Sequence, residues 1–93
     1  MPVPEELNEL QYAILDALYF VEPYENILAD VDAPENIVGA ELRQMLQWGW
    51  VQAMSFDEAS QDYVPSAIWD VDDLRAYRYL ASRKGLLMHH GRI

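Results

Sequence analysis

Residues 41–51 read ELRQMLQWGWV, and they constrain the fold more than any other stretch of the chain. Leu42, Met45 and Leu46 fall at helical spacing, Gly49 stops the helix, and Trp50 and Val51 begin something extended. Glycine at a helix end adopts the left-handed backbone that lets the chain change direction at once. A helix of this kind packs on a core through its apolar stripe and leaves its other side free. What meets that free side is the functional question.

The partner surface for this helix lies upstream. Pro4 marks a helix start, with Glu5 and Glu6 in the first turn, where the macrodipole favours negative charge. Leu7, Leu10, Ile14, Leu18 and Val21 then recur at three- and four-residue steps and form one apolar stripe. Tyr12, Leu15 and Tyr19 form a second ridge beside it, so more than half of the circumference is apolar. Two readings of this ridge stay open: a later segment covers it, or it is a dimer or partner contact. Pro23 separates a shorter helix over residues 24–31, with Ile27, Leu28 and Val31 inward. Asp32, Pro34 and Glu35 then have the pattern of a capping box, Asp32 as N-cap and Glu35 reaching back. The third helix runs to Trp48. Val38, Leu42, Met45 and Leu46 share its inner side, Asn36, Ala40, Arg43, Gln44 and Gln47 lie opposite, and Ile37 and Trp48 flank.

Downstream, residues 50–56 alternate as a strand and residues 57–62 (DEASQD) make a polar tip. Residues 63–73 are expected to form a long loop with one helical turn, anchored by Trp69. Residues 75–80 (RAYRYL) suit the returning strand of a hairpin. A helix over residues 73–81 competes with that reading, because Leu74, Tyr77, Leu80 and Ala81 also fit helical spacing. Ser82 then caps a last short helix through Met88, closed by Gly91. The expected fold class is therefore α+β, mainly α, as one domain over residues 1–93.

Composition narrows the function. Hydrophobic residues make up 52% of the chain, which places it among globular proteins. It contains no cysteine, so a disulfide framework and a thiolate metal site are ruled out and a reduced, cytoplasmic setting is the expectation. The start, MPVPEEL, has no apolar core of a signal peptide. The longest apolar run, residues 13–21, is interrupted by Asp16 and too short to span a bilayer. Sixteen acids against six bases give a net charge of −10. The imbalance is uneven: residues 1–56 hold ten acids and one base, Arg43, whereas residues 57–93 hold six acids and five bases. Such a surface repels phosphate backbones and favours basic partners; a merely solvated surface or a salt-rich cytoplasm explains the same numbers.

Few residues suggest chemistry. Asp70, Asp72 and Asp73 lack the glycine turn and terminal glutamate of an EF-hand loop. His89 and His90 read as a surface tail, since neighbours on a helix point apart and no third ligand is close. No nucleophile–base pair, phosphate loop or H-E-x-x-H occurs, so no enzyme, cofactor or metal is expected. Tyr63, Trp69, Tyr77 and Tyr79 have the composition of a base-stacking platform, but in a domain this small such aromatics fill the core.

The order helix, helix, helix, strand, tip, strand, short helix resembles a winged helix-turn-helix domain, similar in outline to bacterial transcription regulators of the MarR and PadR types. Two local patterns carry the resemblance. Leu42-x-x-Met45-x-x-x-Gly49-Trp50-Val51 is similar to the family's L-x-x-L-x-x-x-G-L-V, and Tyr79-Leu-Ala-Ser82-Arg-Lys84-Gly85 resembles its Y-x-L-T-x-K-G. The resemblance implies three helices, a β-hairpin wing and a short C-terminal helix, with the third helix in a DNA major groove. The reading side would then be Asn36, Ala40, Arg43, Gln44 and Gln47. Arg75, Arg78, Arg83 and Lys84 would contact phosphates from the wing and its flank. This chain departs from the family in offering one arginine where members surround the reading helix with Lys and Arg. The expectation is a dimeric, cytoplasmic winged-helix transcription regulator that binds double-stranded DNA and lacks a ligand-binding domain. The alternative is an acidic winged-helix module that binds a protein partner and not DNA.

Overall fold

The computed structural model describes residues 6–66 and 72–90. In chain order the elements are α1 (Glu9–Ala17), β1 (Glu22–Pro23), α2 (Tyr24–Asp30), α3 (Glu35–Gln47), β2 (Val51–Asp57), β3 (Asp62–Pro65), a 3₁₀ turn (Leu74–Ala76), β4 (Arg78–Ala81) and α4 (Arg83–His90). The strands form one antiparallel sheet in the order β1-β4-β2-β3. The α+β class is as expected from the sequence.

α1 begins at Glu9, later than the start at Pro4; Pro4 and Glu5 lie outside the described residues and Glu6 precedes the helix. Its true cap is reciprocal. The Gln11 amide donates to Asn8 Oδ1 at 2.7 Å, and the Asn8 amide donates to Gln11 Oε1 at 2.9 Å. The helix ends before Val21 because Leu18 leaves helical geometry and its carbonyl accepts from the Ala81 amide of β4 at 3.0 Å. Pro23 then closes β1 and serves as the N-cap of α2, a position where its missing N–H is harmless.

The capping box expected at Asp32 does not form. Pro34 occupies the N-cap of α3 without a side-chain bond, and Glu35 turns away to Arg75. The core side of α3 is as read: Val38, Leu42, Met45 and Leu46 are all buried. They meet Ile14, Leu15 and Leu18 of α1 and its end, Ile27 of α2, and Val51, Ala53, Tyr79 and Ala81 of the sheet.

The hairpin turns at the polar tip, but its immediate return is β3, where the sequence predicts the start of a loop. Phe56 pairs with Tyr63 and Met54 with Pro65. Pro65 is tolerated because β3 is an edge strand, where a missing donor leaves no ladder bond unmade. The competing readings of residues 73–81 divide: the 3₁₀ turn takes Leu74–Ala76, and β4 takes Arg78–Ala81 beside β2. Tyr79 is buried, with its hydroxyl donating to the Leu74 carbonyl at 2.6 Å. The expectations for Trp69 and Asp70 fall outside the described residues, as does Gly91.

Candidate interaction face around the third helix

The end of α3 is built by the two motifs together. Gly49 has φ of 78°, its amide donates to the Leu46 carbonyl at 3.2 Å, and the Trp50 amide donates to the Met45 carbonyl at 3.0 Å. This is a Schellman closure, and it drives Trp50 straight into the core. Ser82 then locks the joint. Its amide donates to the Trp50 carbonyl at 2.9 Å, and its hydroxyl donates to the Gly49 carbonyl at 2.5 Å while accepting from the Gly85 amide at 3.1 Å. The Lys84 ammonium reaches the Trp48 carbonyl at 3.3 Å. Three carbonyls at and just past a helix end, which have no partner within the helix, are thereby satisfied by Ser82, between β4 and α4, and by Lys84 of α4.

Along α3, Asn36, Ala40 and Gln47 are exposed, and Arg43 and Gln44 are half-buried. This stripe carries no carboxylate. Glu41, one step round the helix, is half-buried and accepts from the Gln11 side-chain amide at 2.6 Å, so its charge is directed at α1. Ile37 is exposed beside the stripe.

The flanks differ sharply from the stripe. At the N-terminal end, the Arg75 guanidinium meets Glu25 at 2.8 Å and both Glu35 oxygens at 3.0 and 3.1 Å, with its carbon 5.2 Å from the Tyr24 ring centre. A guanidinium shared by two carboxylates is a clamp between the 3₁₀ turn and the starts of α2 and α3, not a phosphate contact in waiting. At the other flank, the hairpin tip holds Asp57, Glu58 and Asp62 and no base. Asp57 accepts from the Ser60 hydroxyl at 2.9 Å, which fixes the turn. Arg78 lies with its guanidinium carbon 4.9 Å from the Tyr63 ring centre. Arg83 and Lys84 are exposed on α4.

The clamp has a pH signature. The Arg75 hydrogen bonds hold the Glu35 carboxyl below its ordinary range, and its carboxylates keep Arg75 protonated. A lowered folded-state value means the contribution is present above the unfolded carboxyl value and fades as pH falls through the folded one. Arg75→Ala is expected to return the Glu35 titration to the ordinary glutamate range, followed by carboxyl NMR; an unchanged Glu35 would mean the clamp does not persist in solution.

The ridge of Tyr12, Leu15 and Tyr19 is covered largely by α4. Leu15 is fully buried and is a core residue, not a surface contact. Tyr12 stacks on His89 with ring centres 4.2 Å apart, and the Tyr19 hydroxyl lies 2.9 Å from His89 Nδ1 and 3.1 Å from His90 Nε2. His89 is therefore not in a surface tail: it is buried against α1, with Nε2 3.4 Å from an Asp16 oxygen. The two histidines converge on one hydroxyl because Tyr19 reaches over the end of α4. Nothing local in the sequence signals that contact. Among the described residues no group of three or more His, Asp or Glu side chains is placed to hold a metal ion, and no helix is long and apolar enough to cross a membrane.

No protein-family model, no curated protein and no solved structure matches the chain.

Proposed function

We propose that this chain is an acidic winged-helix interaction module whose partner is a protein, and that it does not read duplex DNA. Helices α1 to α3, the β2–β3 hairpin as wing and α4 as closing helix support the winged-helix reading. The charge on the flanks of α3 carries the functional one. A strong duplex binder makes roughly six to ten phosphate contacts. Of the side chains expected to make them here, Arg75 is held by Glu25 and Glu35, and Arg78 lies over Tyr63. The wing tip would bring Asp57, Glu58 and Asp62 towards the phosphates, and each such approach is repulsive.

One observation favours the DNA reading: the stripe of Asn36, Ala40, Arg43 and Gln47 is free of acids and mostly exposed. Arginine and glutamine have the donor geometry to read guanine and adenine edges. Without phosphate contacts to position the helix, that stripe alone supplies little affinity.

The two readings part on a fluorescence-anisotropy titration of labelled random duplex at low salt. The wild type is expected to show no binding, and Glu58→Lys/Asp62→Lys is expected to gain binding that weakens steeply with salt. Asp57 is left intact in that variant because it holds the turn. Wild-type binding, abolished by Arg43→Glu at unchanged thermal stability, would return the chain to the regulator reading, with a homodimer then presenting two such helices.

A further inference from the structure

We propose that the groove between α1 and the turn joining α2 to α3 receives a basic amphipathic helix from a partner protein. This rests on the interaction-module reading and gives it a surface and a chemistry. The groove is a shallow depression open to solvent, of about 370 Å³, lined by Glu9, Leu10 and Ala13 of α1 and by Val31, Asp32 and Ala33 of the turn. It exists because Ala13 and Ala33 are too small to close the space between the two elements. Leu10, Ala13 and Ala33 are half-buried and pack against the core, and Val31 is buried, so the floor is apolar.

The rim is the opposite in character. Glu9 and Asp32 are both exposed, and among the described residues neither forms an ion pair, unlike Glu25 and Glu35. Two exposed carboxylates without an ion partner among the described residues, set over an apolar trough, match lysines or arginines flanking an aliphatic anchor. The charge of residues 1–56, ten acids to one base, steers such a segment towards this half of the molecule. The occupant is a helix because the walls are a helix and a turn. No strand edge lines the groove to pair with an extended peptide, whereas a helix satisfies its own backbone and needs only side-chain anchors at one face. The volume admits a pair of aliphatic side chains.

Calorimetric titration with a synthetic peptide of leucine at i, i+3, i+4 and i+7 and lysine elsewhere tests this directly. The expected result is binding by the wild type and none of a counterpart with glutamate in place of lysine. Glu9→Gln/Asp32→Asn is expected to weaken the peptide about tenfold, as loss of two paired charges would. Ala33→Leu, which fills the trough, should weaken it too, with melting temperatures of both variants near wild type. Glu58→Gln/Asp62→Asn, on the far wing tip, should leave affinity unchanged. Peptide binding indifferent to the groove variants overturns the groove but leaves the module reading standing. Duplex DNA bound in place of the peptide overturns both. Binding that appears only after residues 1–5 are deleted assigns the groove to the chain's own start and also overturns the proposal. So does a dimer in sedimentation that Glu9→Gln/Asp32→Asn dissociates.

Discussion

Gly85→Ala is expected to lower the melting temperature by roughly 15 °C, corresponding to about 3 kcal/mol in a domain of this size. A Cβ at Gly85 would stand far inside contact with the Trp50 carbonyl oxygen, and 3.0 Å from both the Trp50 carbonyl carbon and Leu15 Cδ2. The obstacle is backbone and cannot swing aside. The Trp50 carbonyl is held by the Ser82 amide at 2.9 Å, and the Trp50 amide by the Met45 carbonyl at 3.0 Å. Relief requires α4 to move away from the joint between α3 and β2, which also disturbs its seat on α1, where Leu15 is buried and Tyr12 stacks on His89. Thermal unfolding by circular dichroism reads the effect. A melting temperature within a few degrees of wild type would mean that α4 is not seated on this joint. Gly49 is a different case: its positive φ strains any substituent, but nothing lies within 4 Å of a Cβ there, so the penalty is that of the backbone alone.

Trp50→Ala is expected to remove about 4 kcal/mol, close to the whole stability of many domains of this length. Trp50 is fully buried, faces Trp48 with ring centres 4.8 Å apart, and follows Gly49 directly into the core. Its indole nitrogen donates to no acceptor among the described residues. The loss is therefore one of packing and cavity, not of a hydrogen bond. A control separates the two: Trp50→Phe keeps most of the buried ring, discards the unpaired donor, and should lose only about 1 to 2 kcal/mol. Urea denaturation of the three proteins gives the order wild type, Phe, Ala. Equal losses for Phe and Ala would show that the indole N–H has a partner after all.

Both residues lie in the patterns that were legible in the sequence, for a physical reason. Gly49 and the apolar spacing of Leu42, Met45 and Leu46 act within one or two turns of chain, and a local signal is what a sequence carries openly. Ser82 as a cap was legible for the same reason. What was hidden depends on partners far along the chain. Glu35 abandons the box with Asp32 because Arg75, forty residues on, offers bidentate bonds. α1 stops near Ala17 because β4 claims the Leu18 carbonyl, and the Tyr12 ridge is covered because His89 of α4 stacks on it. The acids after Pro4 point to an earlier start than the reciprocal Asn8–Gln11 cap that opens the helix in the structure. The candidate site was half legible. The acid-free stripe of α3 followed from the helical wheel, whereas the groove between Ala13 and Ala33 depends on how α1 meets the α2–α3 turn, a distance no spacing reveals.

The central claim is that this domain takes a polycation in the groove between α1 and the α2–α3 turn and refuses a polyanion at α3 and its acidic flanks. Parallel titrations of the wild-type domain at low ionic strength, one with the leucine–lysine peptide and one with random duplex DNA, test it most directly. The expected result is saturable binding of the peptide that weakens as salt is added, and no binding of the duplex at any salt concentration. Saturable, salt-sensitive binding of the duplex, lost in Arg43→Glu with the melting temperature unchanged, would contradict it.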